Sequence, residues 1–274
     1  MRFPLLNIFS SKKMIRNTIL NRIGIQLFRV WLADKRYKIR SKHLKDSIRQ
    51  YIEELDREGI VVIPDFLPSN EFAQLEKECL HALENVELSR IREDGPNQYT
   101  NIGIEKLEEY NGIKKTFDNE MIADLFSAAE RRKVNMQKTV RLLSCLIQGK
   151  DNGTMDPETA LHEDTFFNTH KAWLYISDVD YPNAPFVYVK GSNKHHKTDR
   201  YRKTYKYSLS KDSIHSRRIS QEELNELNLK ETHFVAKKNT FVIANTLGFH
   251  RRLRGEEGNR RVALAFSVRH NPFI

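Results

Sequence analysis

The stretch "ANTLGFHRRLRGEEGNRRVALAF", residues 244–266, ends a strand, bends through a glycine and starts another strand. His250 follows the bend, and Arg261 opens the second strand eleven residues later. Side chains alternate across a strand, so Arg261, Ala263 and Ala265 share one face while Val262, Leu264 and Phe266 share the other. The bulky face suits packing beneath helices. The other face is roomy and carries one fixed cation, which suits a small dicarboxylate held by a two-pronged guanidinium. An inward arginine is costly without an acid, so an ion pair with Glu256 or Glu257 is the competing structural reading.

Upstream, "LHEDTFF" (161–167) sets an imidazole and two carboxylates among apolar and small residues. On a strand, His162 and Asp164 point one way and Glu163 the other. Two imidazoles and one carboxylate on one side of a metal, with its other positions open, form the facial set used for non-haem Fe(II) and O2 chemistry. His162 and Asp164 alone carry little weight, since such pairs are common on solvated surfaces. His250 supplies the missing imidazole.

Around these residues the chain reads as helices first and strands after. "KHLKDSIRQYIEELDRE" (42–58) reads as a helix stopped at Gly59, followed by the β-branched strand "IVVI" (60–63) and a helix over "SNEFAQLEKECLHAL". Residues 88–117 are polar and dotted with Gly and Asn, and read as loop; a helix near 118–131 and a buried strand at 139–148 follow. Strands then dominate at 170–179, 185–192, 232–245 and 260–268, interrupted by a basic, partly helical insert over 195–228. The order implies a mainly β fold, an antiparallel sandwich or barrel with flanking helices.

With 274 residues, 39% hydrophobic and 30% charged, the chain supports a folded core and excludes a disordered protein. Cys79 and Cys145 are its only cysteines, which argues against a disulfide scaffold or a thiolate zinc site and for a reducing, cytoplasmic setting. No apolar run is long enough to span a bilayer, and the first residues lack the form of a secretory signal. The net charge of +10 is concentrated at one end: residues 1–50 hold 13 Lys/Arg against Asp34 and Asp46, and the remainder is almost neutral. Within residues 12–33, Ile15, Ile19, Ile23, Leu27, Val30 and Trp31 recur at helical spacing between bases. Such a helix packs on its own domain with its bases solvated, or lies on an anionic membrane through residues 12–40. Nucleic acid is the least favoured partner, because no recognisable binding module surrounds the Tyr/Arg-rich "DRYRKTYKY".

The constellation His162, Asp164, His250 and Arg261 resembles that of the phytanoyl-CoA dioxygenase-like branch of the Fe(II)/2-oxoglutarate-dependent dioxygenases. "REGIVVIPDFLPSNEFAQLEKEC" is similar to that family's opening strand and helix, and "KAWLYISDVDYPNAPFVYVKGSNK" to its segment after the ligand pair. The resemblance implies a double-stranded β-helix (jelly roll, cupin-like) over residues 51–274, with residues 1–50 as a basic amphipathic leader. It implies His162, Asp164 and His250 as iron ligands and Arg261 as the anchor of 2-oxoglutarate, with Trp173 as core or as a wall beside that cosubstrate. The implied reaction converts 2-oxoglutarate to succinate and CO2 and oxidises a small-molecule substrate. Halogenating relatives carry a small residue where Asp164 stands, so hydroxylation is expected.

The chain departs from the family in two places. Arg252 stands where a serine often helps hold the cosubstrate, and "KGSN" (190–193) replaces "PGSH". Arg260 is the alternative anchor, disfavoured by strand parity. The insert 194–218 carries nine Lys/Arg, and with Arg251, Arg252 and Arg254 it suggests a basic rim for an anionic, lipid-linked or glycan-type substrate. His195 and His196 read as solvated loop residues. The alternatives to an enzyme are a noncatalytic jelly-roll binding protein and a membrane-surface accessory protein.

Overall fold

Antiparallel pairing organises the chain from residue 60 onward. The computed structural model describes residues 8–9, 12–40, 44–210 and 216–274. Its strands are β1 (Ile60–Ile63), β2 (Arg90–Asp94), β3 (Asn97–Gly103), β4 (Val140–Ile147), β5 (His170–Tyr175), β6 (Phe186–Val189), β7 (Glu231–Phe234), β8 (Phe241–Asn245), β9 (His250–Arg252) and β10 (Arg260–Ser267). They form a seven-stranded sheet in the order β1-β8-β5-β10-β4-β3-β2 and a three-stranded sheet in the order β7-β6-β9. Every pairing is antiparallel. The mainly β architecture with flanking helices expected from the sequence is therefore the observed one.

The helices are α1 (Thr18–Arg22), α2 (Ile25–Ile39), α3 (Arg49–Glu58), α4 (Ser69–Glu84), α5 (Asn111–Phe117), α6 (Glu120–Ala129), α7 (Arg200–Ser208) and α8 (Gln221–Glu226). Those from α3 to α6 pack on the outer face of the large sheet. Ile52, Leu75, Phe117 and Phe126 meet Leu143, Ile243, Leu264 and Phe266 in one apolar cluster. Phe266 sits at its centre, with ring centroids 5.1 Å from Phe117 and 6.1 Å from Phe241. The turn after α3 depends on Gly59. Its φ of 84° is left-handed, its N–H caps Leu55 O at 2.8 Å, and a Cβ there would lie 2.3 Å from the Tyr188 hydroxyl.

Three segments differ from their sequence reading. Within 88–117, where a loop was expected, residues 90–103 form the hairpin β2–β3 on the sheet edge and Asn111–Phe117 form α5. Most of β2 is solvent-exposed, so it needs no alternating apolar pattern to form. The stretch 232–245 divides into β7 and β8, which belong to different sheets.

The continuous helix expected over 12–33 is broken at Gly24, whose φ is 86°. Its apolar seam packs only in part: Val30 is buried, but Ile19 and Ile23 are 71% and 69% exposed, while the polar Asn21, Gln26 and Arg29 are buried. These polar groups are stabilised by specific partners. Asn21 donates to the carbonyls of Ile15 and Ser208, both at 2.8 Å, and the Arg29 guanidinium lies 4.8 Å from the Phe166 ring and 5.1 Å from that of Phe273. His195, read as solvated, packs 3.6 Å from Asp34 and against the Tyr201 ring.

Candidate metal centre and cosubstrate cleft

His162 and His250 stand directly opposite each other in an antiparallel bridge. Each backbone N–H donates to the other's carbonyl at 2.9 Å, so the register puts both imidazoles on one side. Strand geometry does not extend to Asp164, which sits in a bend with its N–H on Thr246 O at 3.0 Å. The carboxylate still arrives: Asp164 Oδ1 is 3.7 Å from His162 Nε2 and 3.7 Å from His250 Nε2. One donor atom from each of the three residues lies within 4.8 Å of the others.

Each imidazole is oriented by a local bond. Nδ1 of His162 is 2.8 Å from Ala160 O, and Nδ1 of His250 is 2.9 Å from Gly248 O. A carbonyl only accepts, so both Nδ1 atoms carry the proton and both Nε2 lone pairs face the shared centre. Burial, and then the neighbouring His250, push the His162 imidazole down to about 4, so it is neutral near pH 7 as a ligand must be. Burial alone would raise the Asp164 carboxyl. Lys171, with Nζ 2.6 Å from Oδ2, outweighs that together with His250 and holds it well below the usual carboxylate range. Two imidazoles and one carboxylate are the donor set of a facial non-haem iron site, and the residues fit such an ion.

Asp164 and His250 border a cleft of about 480 Å³ between the two sheets. The cleft-facing side of β10 presents Arg261, Ala263 and Ala265, while Val262, Leu264 and Phe266 face the helices. Trp173 walls the cleft, its ring 5.0 Å from that of Phe186. The Arg261 guanidinium donates to Ala184 O and has no carboxylate partner among the described residues. Glu256 and Glu257, the partners weighed from the sequence, are exposed. Burial lowers the pKa of Arg261, the mark of a cation held away from water without an anion. Arg252, where the family often has serine, is neutralised by Asp156, and Arg260 is exposed on another face. That leaves Arg261 as the cation suited to a distal carboxylate.

Two parts of the sequence reading change. Of the described insert residues, Ser216 lines this cleft, while the bases Arg200, Arg202 and Lys203 do not. Arg200 is fully buried and bonds Glu163 and the carbonyls of Ser192 and Leu247 at 3.0 and 2.9 Å; Arg202 pairs with Asp199, and Lys203 with Glu226 at 2.9 Å. Glu163, facing away from the donor set, is the acid that makes the Arg200 burial tolerable. Lys171 was overlooked. It shares the inward face with Trp173 and Tyr175, and the parity argument that singled out Arg261 would have flagged it.

The sequence matches the family model for phytanoyl-CoA dioxygenase over residues 55–242. A search of curated proteins gave no match. Among solved structures, the non-heme alpha ketoglutarate dependent epimerase SnoN from nogalamycin biosynthesis superposes with a TM-score of 0.55 at 16% identity, over 81% of this chain and 82% of that one. The non-heme alpha ketoglutarate dependent carbocyclase SnoK from the same pathway gives 0.50 at 14%, over 83% and 85%. EctD from S. alaskensis with bound Fe gives 0.51 at 11%, over 82% and 76%.

Proposed function

The chain belongs to the phytanoyl-CoA dioxygenase family, and from that premise we propose that it is an Fe(II)- and 2-oxoglutarate-dependent dioxygenase that hydroxylates a small molecule. The observation that carries this reading is the meeting of His162, Asp164 and His250 around one centre beside an arginine that lacks an acid. SnoN and SnoK, which share the fold, are described as alpha ketoglutarate dependent, and EctD as binding Fe. Residues 51–274 are the catalytic domain in this reading, and residues 1–50 a basic leader.

His162, Asp164 and His250 would hold the iron, which when bound supplies the activation of O2 for oxidation. The Nδ1–H bonds fix both rings, and Lys171 keeps Asp164 ionised and oriented. Arg261 takes the distal carboxylate of 2-oxoglutarate, and the small side chains of Ala263 and Ala265 leave room for its chain. Trp173 and Phe186 shield that end of the cleft from water.

A cytoplasmic setting is supported by two unpaired, buried cysteines, and no helix among the described residues is long and apolar enough to cross a membrane. Peripheral contact with an anionic membrane through residues 12–40 is supported by the stacked, half-exposed Phe28 and Trp31, 5.6 Å apart amid bases.

The test is iron uptake and succinate production by the full chain. Wild type should bind one Fe(II) and convert 2-oxoglutarate slowly even without substrate, and Asp164→Ala should do neither. Iron-free protein with no succinate would instead identify a noncatalytic binding protein.

A further inference from the structure

Past Asp164, opposite the Arg261 end, the cleft continues into a second cavity of about 350 Å³. Asp164, Ser216 and Arg269 line both spaces. One wall is the loop 163–167; the other is the leader, through Lys12, Lys13, Met14 and Arg16. The leader is fixed there by buried side chains. Gln26 Oε1 accepts from Ile15 N at 3.1 Å, Arg29 donates to Lys13 O at 2.9 Å, and Lys12 donates to Arg269 O. Through Phe166, the same Arg29 rests on the loop that carries Asp164.

Among the described residues the charge around this cavity is one-sided. Its two acids are already compensated, Glu163 by Arg200 and Arg217, and Asp164 by Lys171. Arg16 and Arg269 have no carboxylate partner among the described residues and face the same space as Lys12 and Lys13. Cations converging from two chain segments suit a tetrahedral dianion better than a flat carboxylate, which one guanidinium fork satisfies.

We infer that this cavity receives a phosphate group of the substrate, held by Lys12 and Arg16 of the leader with Arg269, while the carbon to be oxidised lies beside Asp164. The inference rests on the oxygenase reading of the site for its orientation. The leader precedes residues 55–242, the part of the chain that the family model matches.

The experiment titrates hexyl phosphate into the full chain, read by calorimetry on metal-free protein and by the visible spectrum of protein loaded with Co(II) and 2-oxoglutarate. Wild type should bind the ester saturably and shift the Co(II) bands. The double variant Lys12→Glu/Arg16→Glu, and separately Arg269→Glu, should weaken binding at least about tenfold, as expected for losing charge-assisted contacts. Lys206→Glu, an exposed base on α7 away from the cavity, should bind as wild type does.

Phosphatidic acid vesicles form a parallel arm. A Co(II) shift with the vesicles alone, lost in the double variant, assigns the phosphate to a lipid headgroup; a shift with the soluble ester assigns it to a free phosphorylated molecule. Equal affinity in wild type and double variant, equal weakening by Lys206→Glu, or response to neither probe overturns the inference. Failure to take up Co(II) with ester binding intact counts against the metal reading alone.

Discussion

The two faces of the seven-stranded sheet are made by the same strands and have different chemistry. Toward the helices, β4, β5, β8 and β10 present Leu143, Leu174, Ile243, Leu264 and Phe266, all buried in one apolar cluster. Toward the cleft, β5 and β10 present Lys171, Trp173, Tyr175 and Arg261. The first face gains stability from burying apolar area, and the second holds cations that cost stability unless an anion comes. Period-two alternation lets neighbouring residues of one strand serve opposite ends, so folding and chemistry should respond to different substitutions.

The strongest way to break that separation is Phe266→Ala. Removing a ring at the centre of the helix-side cluster should cost about 4 kcal/mol, read by urea denaturation, while the folded fraction keeps its metal affinity. A folded variant with lost metal affinity would mean that the two faces are coupled.

Glu130, an ionic group on the helix side, comes next. It is fully buried, lies in hydrogen-bond contact with His170 Nδ1 at 2.7 Å and has His270 Nδ1 2.5 Å from its other oxygen. Burial alone would raise its carboxyl, but the hydrogen bonds from His170 and His270 outweigh it and bring it down to about 2. A depressed carboxylate stabilises the fold above its unfolded value, near 4.5, and that contribution is lost as pH falls toward about 2. Glu130→Gln should therefore cost about 3 kcal/mol at pH 7, with the gap to wild type closing across that acid window. A gap independent of pH would show that packing, not charge, sets the effect.

Arg261→Met should have the smallest effect on stability. It removes a half-buried cation without an acid, so the fold should be unchanged or slightly stabilised, while affinity for 2-oxoglutarate falls by about 2 kcal/mol, measurable by calorimetry. Unchanged affinity would move the cosubstrate elsewhere in the cleft.

What the sequence made legible follows the same division. The alternation of Arg261 through Phe266 was readable because a buried strand must obey it, and His250 became a candidate from its place after a bend. The β2–β3 hairpin was hidden, because an exposed edge strand carries polar residues on both sides. The leader misled for a different reason. It buries Asn21, Gln26 and Arg29 through hydrogen bonds and ring stacking and leaves Ile19 and Ile23 outside, so hydrophobic spacing pointed to the wrong face. Arg200 was hidden in a run of bases because nothing local indicates that Glu163 reaches it.

The bridge between His162 and His250 also sets when the donor set is assembled. The two imidazoles are brought together only by strand closure between distant parts of the chain. A nascent or truncated chain that stops short of β9 offers at most two of the three donors. The donor set is thus complete only once β9 has paired opposite residue 162, an ordering written into topology and needing no inhibitor.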